Sequence, residues 1–109
     1  ILAGTGAEST RATIRMTREV AAAGAHAVLV QPPGFYRPLL TPEALREHYL
    51  AVADASPVPV LLYQVPPRFA GAELPAGLVG EVCRHPNVAG IKDSTGDLKT
   101  FAALVDAVG

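Results

Sequence analysis

Three side chains able to cooperate in carbonyl chemistry stand at the ends of apolar runs or just beyond them. Lys92 closes the run Val88-Ala89-Gly90-Ile91-Lys92. Tyr63 closes the run Val58 to Tyr63, and Arg68 follows in the stretch Gln64-Val65-Pro66-Pro67-Arg68-Phe69-Ala70-Gly71. Desolvation at the end of an apolar strand disfavours a charged ammonium group, and a free amine attacks carbonyl carbon; alternatively the lysine carries its amine out to water along its own stem. A phenol beside the amine is either a proton relay or an anchor for the strand end with its hydroxyl in water. A guanidinium grips a carboxylate through two parallel hydrogen bonds, or is a solvated loop residue. As a set, nucleophile, proton relay and carboxylate anchor are what Schiff-base chemistry on a 2-oxo acid needs. Burial could activate the amine without a metal.

The elements that must hold this set form a repeat. Apolar strands are expected at Ile1 to Gly4, Ala27 to Gln31, Val58 to Tyr63 and Val88 to Lys92. Helices are expected at Ser9 to Ala23, Thr41 to Ala55, Pro75 to Arg84 and Asp97 to Val108. Ser9 or Thr10 is a capping candidate and Gly24 a stop. Thr41-Pro42-Glu43 opens the second helix with a capping hydroxyl, a proline at the first helical position and a carboxylate near the positive dipole end. Strand starts recur about every 30 residues, the length of a βα unit with parallel strands. Four such units are half of a (β/α)8 barrel or a small open sheet. Gly4-Thr5-Gly6-Ala7 lacks the third glycine of a dinucleotide-binding turn.

In parallel α/β folds, sites lie at the C-terminal ends of strands. That end holds Thr5 to Glu8, Pro32 to Leu40, Gln64 to Glu73 and Asp93 to Gly96. His26 and His85 lie at the opposite end and are not expected to be catalytic; mid-helix His48 reads as a packing or surface residue, and Cys83 as core. Alternation of side chains places Val88, Gly90 and Lys92 on one face of the fourth strand, and Pro59, Leu61 and Tyr63 on one face of the third. Tyr63 and Lys92 then converge at nearly equal depth, and Gly90 leaves room beside the lysine stem.

Composition bounds the partners. The chain has 109 residues, a formal net charge of -1 and 50% hydrophobic residues. No basic stripe points to nucleic acid or an anionic membrane. The longest apolar runs are too short to span a bilayer. One cysteine gives neither an internal disulfide framework nor metal-site spacing. A cytoplasmic protein is the default expectation. The chain opens in a strand without a methionine and stops just past a helical pattern, as a piece of a longer protein would.

Gly4-Thr5-Gly6-Ala7-Glu8-Ser9-Thr10, Val30-Gln31-Pro32-Pro33, Leu62-Tyr63-Gln64-Val65-Pro66 and Gly90-Ile91-Lys92-Asp93-Ser94-Thr95-Gly96-Asp97 resemble, in order and spacing, the dihydrodipicolinate synthase / N-acetylneuraminate lyase family. The resemblance implies a (β/α)8 TIM barrel, of which residues 1–109 are the central segment of one domain, strands three to six. It implies a homotetramer of tight dimers and class I lyase chemistry without metal or organic cofactor. On that resemblance Lys92 forms the imine with pyruvate or a related 2-oxo acid, Tyr63 relays protons, and Arg68 meets a carboxylate at the site entrance; an aldehyde is the co-substrate. Phe35 and Tyr36 fall where the family carries a Tyr-Tyr pair that reaches across the dimer, and are assigned to substrate binding.

The chain departs from the pattern in several places. The strand-two Thr-Thr pair has no counterpart here, nor do strands one, seven and eight. Gly34-Phe35-Tyr36 puts a phenylalanine, without a hydroxyl, at the cross-dimer relay position; Tyr36 substitutes only with a loop shift. Gln64 stands where the family often has asparagine. These departures turn the expectation from a true synthase toward an aldolase or dehydratase of sugar-acid-like 2-oxo acids. Two other readings stand beside the enzyme. One is a non-catalytic half-barrel whose open edges associate; the other is a 2-oxo-acid sensor that binds without turnover. The 109 residues alone are expected to be inactive.

Overall fold

In the computed structural model, residues 1–66, 68–69 and 73–109 are described. Pro67 and Gly71, which the sequence places in the stretch with Arg68 after the third strand, lie outside them. The elements alternate in chain order: β1 (Leu2–Gly4), α1 (Thr10–Ala22), β2 (Ala27–Val30), a 3-10 turn (Arg37–Leu39), α2 (Pro42–Ala55), β3 (Val60–Gln64), α3 (Ala76–Val82), β4 (Val88–Asp93) and α4 (Leu98–Val108). The four strands form one sheet in the order β1-β2-β3-β4, and every neighbouring pair is parallel. The four expected βα units are all present; among the described residues the 3-10 turn, built on Pro38, is the one addition.

The helix starts follow from their capping groups. The Ser9 hydroxyl accepts from the Ala12 N–H at 3.1 Å, and the Thr41 hydroxyl from the Ala44 N–H at 3.1 Å with Pro42 in the first turn. Asp97 accepts from the Lys99 N–H at 3.3 Å. Past the end of α1, Gly24 takes a φ of 110°, a left-handed conformation suited to glycine.

Strand alternation sorts the side chains. Val28, Val30, Val60 and Leu62 are buried against the helices. They meet Leu45, Tyr49 and Val52 of α2, Leu78, Val79 and Val82 of α3, and Leu104 of α4 in a single apolar cluster. Each such side chain contributes about 1.5–3 kcal/mol on burial. The Tyr49 hydroxyl, also buried, donates to the Val30 carbonyl at 2.9 Å. At the N-terminal end of the sheet, the Asn87 amide donates to the carbonyls of Ala53, Ser56 and Val58 at 3.0–3.1 Å, which fixes the approach to β4. Leu29, Leu61 and Tyr63 are only partly buried and alternate with the core-facing residues, which places them on the sheet face opposite the helices.

One expectation fails here. Val60 pairs with Val88, but Leu61 pairs with Gly90, so the ladder carries a bulge at Ala89. The extra residue reverses the alternation. Val88 is therefore buried in the helix-side core and does not share a face with Lys92. Gly90 has a φ of 147°, and a Cβ built on it meets nothing within 4 Å. Glycine is needed there for the backbone of the bulge, not to clear space for the lysine stem.

Candidate active site

Tyr63 and Lys92 are paired residues of the β3–β4 ladder, at or next to the C-terminal ends of their strands. The Lys92 amine stands 4.6 Å from the centroid of the Tyr63 ring, within range of a cation–π contact. Convergence of amine and phenol at equal depth thus agrees with the sequence. The depth of burial does not: Lys92 is exposed in this chain, so the desolvation that its apolar strand implies is not supplied by these 109 residues.

The turn after β4 adds a residue that sequence reasoning passed over. The Ser94 N–H donates to the Gln64 carbonyl at 3.0 Å, extending the ladder by one bond. Its hydroxyl then lies 3.5 Å from the Tyr63 hydroxyl, to which it donates. The Ser94 hydroxyl is the leading cause that holds the Tyr63 phenol below the ordinary tyrosine range; partial burial opposes it, and the Lys92 charge assists it. Asp93 winds the turn by accepting from the Thr95 N–H at 3.1 Å and the Thr95 hydroxyl at 3.0 Å. The sequence offered one signal for Ser94, a hydroxyl two residues past the lysine, but strand alternation stops being a guide where the turn begins.

Arg68 is exposed, and its guanidinium lies 4.7 Å from the centroid of the Phe69 ring. Among the described residues no contact joins it to Lys92 or Tyr63. Phe35 and Tyr36 pack edge to face with centroids 4.8 Å apart and are 76% and 65% exposed, on a loop at the same end of the sheet. The structure thus brings together Lys92, Tyr63 and Ser94, and leaves Arg68, Phe35 and Tyr36 around them without direct contact. Gln64 faces the opposite way: it is buried, and its side-chain carbonyl accepts from the Leu74 N–H at 2.9 Å. It ties the far end of the Arg68 loop to the sheet. Two of the histidines make contacts within the fold. His48 is buried and bonded to the Thr10 hydroxyl at 2.7 Å, and His85 pairs with Asp54 at 2.7 Å. Cys83 is half-buried against the core. Among the described residues no group of three or more His, Cys, Asp or Glu could hold a metal ion, and no helix is long and apolar enough to cross a membrane.

An amine and a phenol at the C-terminal ends of adjacent parallel strands, on the face away from the helices, define a partial (β/α)8 barrel with a candidate carbonyl-chemistry site. Over residues 1–109 the chain matches the model of the Dihydrodipicolinate synthetase family, and it belongs to that family. It is 42% identical over 109 residues to the protein named "Probable 4-hydroxy-2-oxoglutarate aldolase, mitochondrial" of Emericella nidulans, matching all of this chain and 35% of that protein. It is 46% identical over 105 residues to a 4-hydroxy-tetrahydrodipicolinate synthase of Xanthomonas axonopodis pv. citri, covering 96% of this chain and 34% of the relative. Among solved structures, the chloride-inhibited dihydrodipicolinate synthase of Acinetobacter baumannii complexed with pyruvate superimposes with a TM-score of 0.90 at 39% identity, over 99% of this chain and 36% of the other. A prophage protein of the family from E. coli K12, in complex with pyruvate, gives 0.88 at 29% identity, over 98% and 35%. The chain spans about a third of the length of these relatives.

Proposed function

We propose that the intact protein is a class I lyase that acts on pyruvate or a related 2-oxo acid through a Schiff base on Lys92. The observation that carries this reading is the register pair of Tyr63 and Lys92, with the amine over the phenol ring at the C-terminal end of the sheet. In the proposed reaction the neutral amine attacks the 2-oxo carbon, and loss of water from the carbinolamine gives a protonated imine. The positive nitrogen draws electrons, through the imine carbon, from the bond between the carbons alpha and beta to it. In the cleavage direction that bond breaks, the aldehyde departs after its hydroxyl loses a proton, and the resulting enamine is protonated at carbon. Water then releases pyruvate and the free amine. Tyr63 is the group that takes and returns the proton, and a phenol held below its ordinary range is better matched to a relay near neutral pH. Arg68 receives the distal carboxylate at the entrance, and Phe35 and Tyr36 bound the side where the aldehyde half lies.

Within the family, we read the protein as an aldolase or dehydratase in preference to a synthase. Phe35 supports this, since it offers no hydroxyl where the resemblance calls for a relay across the dimer. The same resemblance supports a cytoplasmic homotetramer of tight dimers, which sedimentation and cell fractionation test, and a single barrel domain with these residues at its centre. The decisive experiment for the chemistry is borohydride reduction of the intact protein with pyruvate, followed by peptide mapping. A reduced pyruvyl adduct on Lys92 is expected; no adduct, or one on another lysine, overturns the assignment. Comparing cleavage of 4-hydroxy-2-oxoglutarate with formation of 4-hydroxy-tetrahydrodipicolinate then separates the two classes named among the relatives.

A further inference from the structure

Glu8 stands in the loop between β1 and α1, one residue before the cap of α1. Both of its carboxylate oxygens lie 3.2 Å from the Gly34 N–H, and Oε2 also accepts from the Phe35 N–H at 2.9 Å. Two consecutive backbone donors therefore meet one carboxylate, in charge-assisted bonds stronger than neutral ones. The grip is on the backbone, so it fixes where residue 35 begins whatever side chains the loop carries.

The two partners of this latch differ in how firmly they are held. On the Glu8 side the loop is pinned throughout. Thr5 is buried and accepts from the Thr17 hydroxyl at 2.9 Å, and its N–H donates to the Leu29 carbonyl at 3.1 Å. The Ala7 N–H donates to the Thr13 hydroxyl at 3.2 Å. A Cβ on Gly6 would lie 2.6–2.9 Å from atoms of Gln31, so the loop closes directly onto the end of β2. On the other side, Pro32 and Pro33 are buried, but the chain leaves the body of the protein at Gly34, and the two rings that follow are mostly exposed. Glu8 meets the chain at that point of departure.

We infer that Glu8 is a positioning residue that holds the Phe35–Tyr36 loop at the mouth of the site and so sets recognition of the substrate half that becomes the aldehyde. It touches neither Lys92 nor Tyr63, and it acts only through the loop. The inference rests on the lyase reading, and its consequence is selective: imine formation with pyruvate does not need the latch, whereas a longer substrate reaching the Phe35–Tyr36 side does.

The test uses Glu8→Ala and Glu8→Gln in the intact protein, with three readouts. Amide hydrogen exchange of the peptide spanning residues 32–37 is expected to rise about 10-fold in Glu8→Ala, the scale of one charge-assisted hydrogen bond lost, and less in Glu8→Gln, which keeps one acceptor oxygen. Exchange across α1 should not change. The KM for 4-hydroxy-2-oxoglutarate cleavage should rise by a similar factor with little change in kcat, while borohydride trapping of pyruvate keeps its concentration dependence. Unchanged exchange at 34–35 overturns the inference, as does parallel loss of pyruvate trapping and cleavage. If the unsubstituted protein forms no pyruvate adduct, the lyase reading fails and the role in recognition falls with it; exchange alone then decides whether the latch exists.

Discussion

The amine of Lys92 and the ring of Tyr63 face one another across paired positions of β3 and β4, 4.6 Å apart. Two strands that are sequence neighbours only through a helix thus deliver a nucleophile and a proton relay to one point. The geometry separates their roles. Tyr63→Phe keeps the ring under the amine and removes only the hydroxyl. The variant is expected to retain a reducible pyruvate adduct at Lys92 while turnover falls about 10²–10⁴-fold, the usual worth of a positioned general acid–base group. Lys92→Met should lose both. A Tyr63→Phe variant with unimpaired turnover would remove the phenol from the mechanism.

Ser94 yields a second expectation. Its hydroxyl is the leading cause of the lowered Tyr63 ionisation, ahead of the Lys92 charge. Removing a donor to the phenolate makes that anion harder to form. In Ser94→Ala the tyrosinate absorbance that belongs to Tyr63 should therefore appear at higher pH. Subtracting the Tyr63→Phe titration isolates that phase from other tyrosines; Tyr49 is pushed far up by burial and does not interfere. The alkaline limb of the activity profile should move in the same direction. No movement in either titration would mean that the long 3.5 Å contact carries no weight in solution.

Much of this arrangement was legible in the residue order, and the losses have definite causes. The four βα units and the caps of the first two helices were visible because Ser9 and Thr41 act over three residues, within reach of a local pattern. The pairing of Tyr63 with Lys92 was visible because both close apolar runs of similar length. Beyond those runs, periodicity fails. The bulge at Ala89 sends Val88 to the other face, and nothing in a run of small apolar residues announces one extra residue in a ladder. Glu8 was part of a recognisable stretch, but its partners Gly34 and Phe35 lie 26 and 27 residues away, beyond any local rule. The exposure of Lys92 is a property of how many strands surround it, which the lysine's own neighbours in sequence do not encode.

His48 makes the fold sensitive to acid. It is buried between α1 and α2, its Nδ1 bonded to Thr10, and its Nε2 is enclosed without a partner among the described residues. Burial holds its ionisation below the ordinary value of 6.5. Above that value both folded and unfolded chains keep the ring neutral, and the full stability is present. As pH falls through 6.5, the unfolded chain takes up a proton that the folded chain refuses. Stability then declines until the folded ring titrates too, by at most about 1.4 kcal/mol per pH unit. Because the chain carries two other histidines, His26 and His85, the comparison is with His48→Gln. Between about pH 7.5 and 5.5, where histidines change charge, the urea midpoint of the unsubstituted protein should fall further than that of the variant. Equal falls would show that His48 is free to protonate in the fold.

Gly90 tests whether the bulge is what aims Lys92. With φ at 147° and open space where a methyl group would stand, Gly90→Ala meets no clash; its cost is conformational, about 1–3 kcal/mol for a side chain forced into that region. The strand can escape this cost by returning to regular pairing, which shifts one residue and turns Lys92 toward the helices. Two outcomes follow together: a lower melting temperature and a loss of pyruvate trapping at Lys92 in the protein that remains folded. Gly77→Ala is the control, since Gly77 lies in α3 with equally open space but without a left-handed φ; alanine favours the helix there, so stability should hold or rise and trapping should be unaffected. If Gly90→Ala loses stability yet traps pyruvate normally, the bulge serves the backbone alone, and the facing of Lys92 and Tyr63 is held by the β3–β4 ladder beyond it.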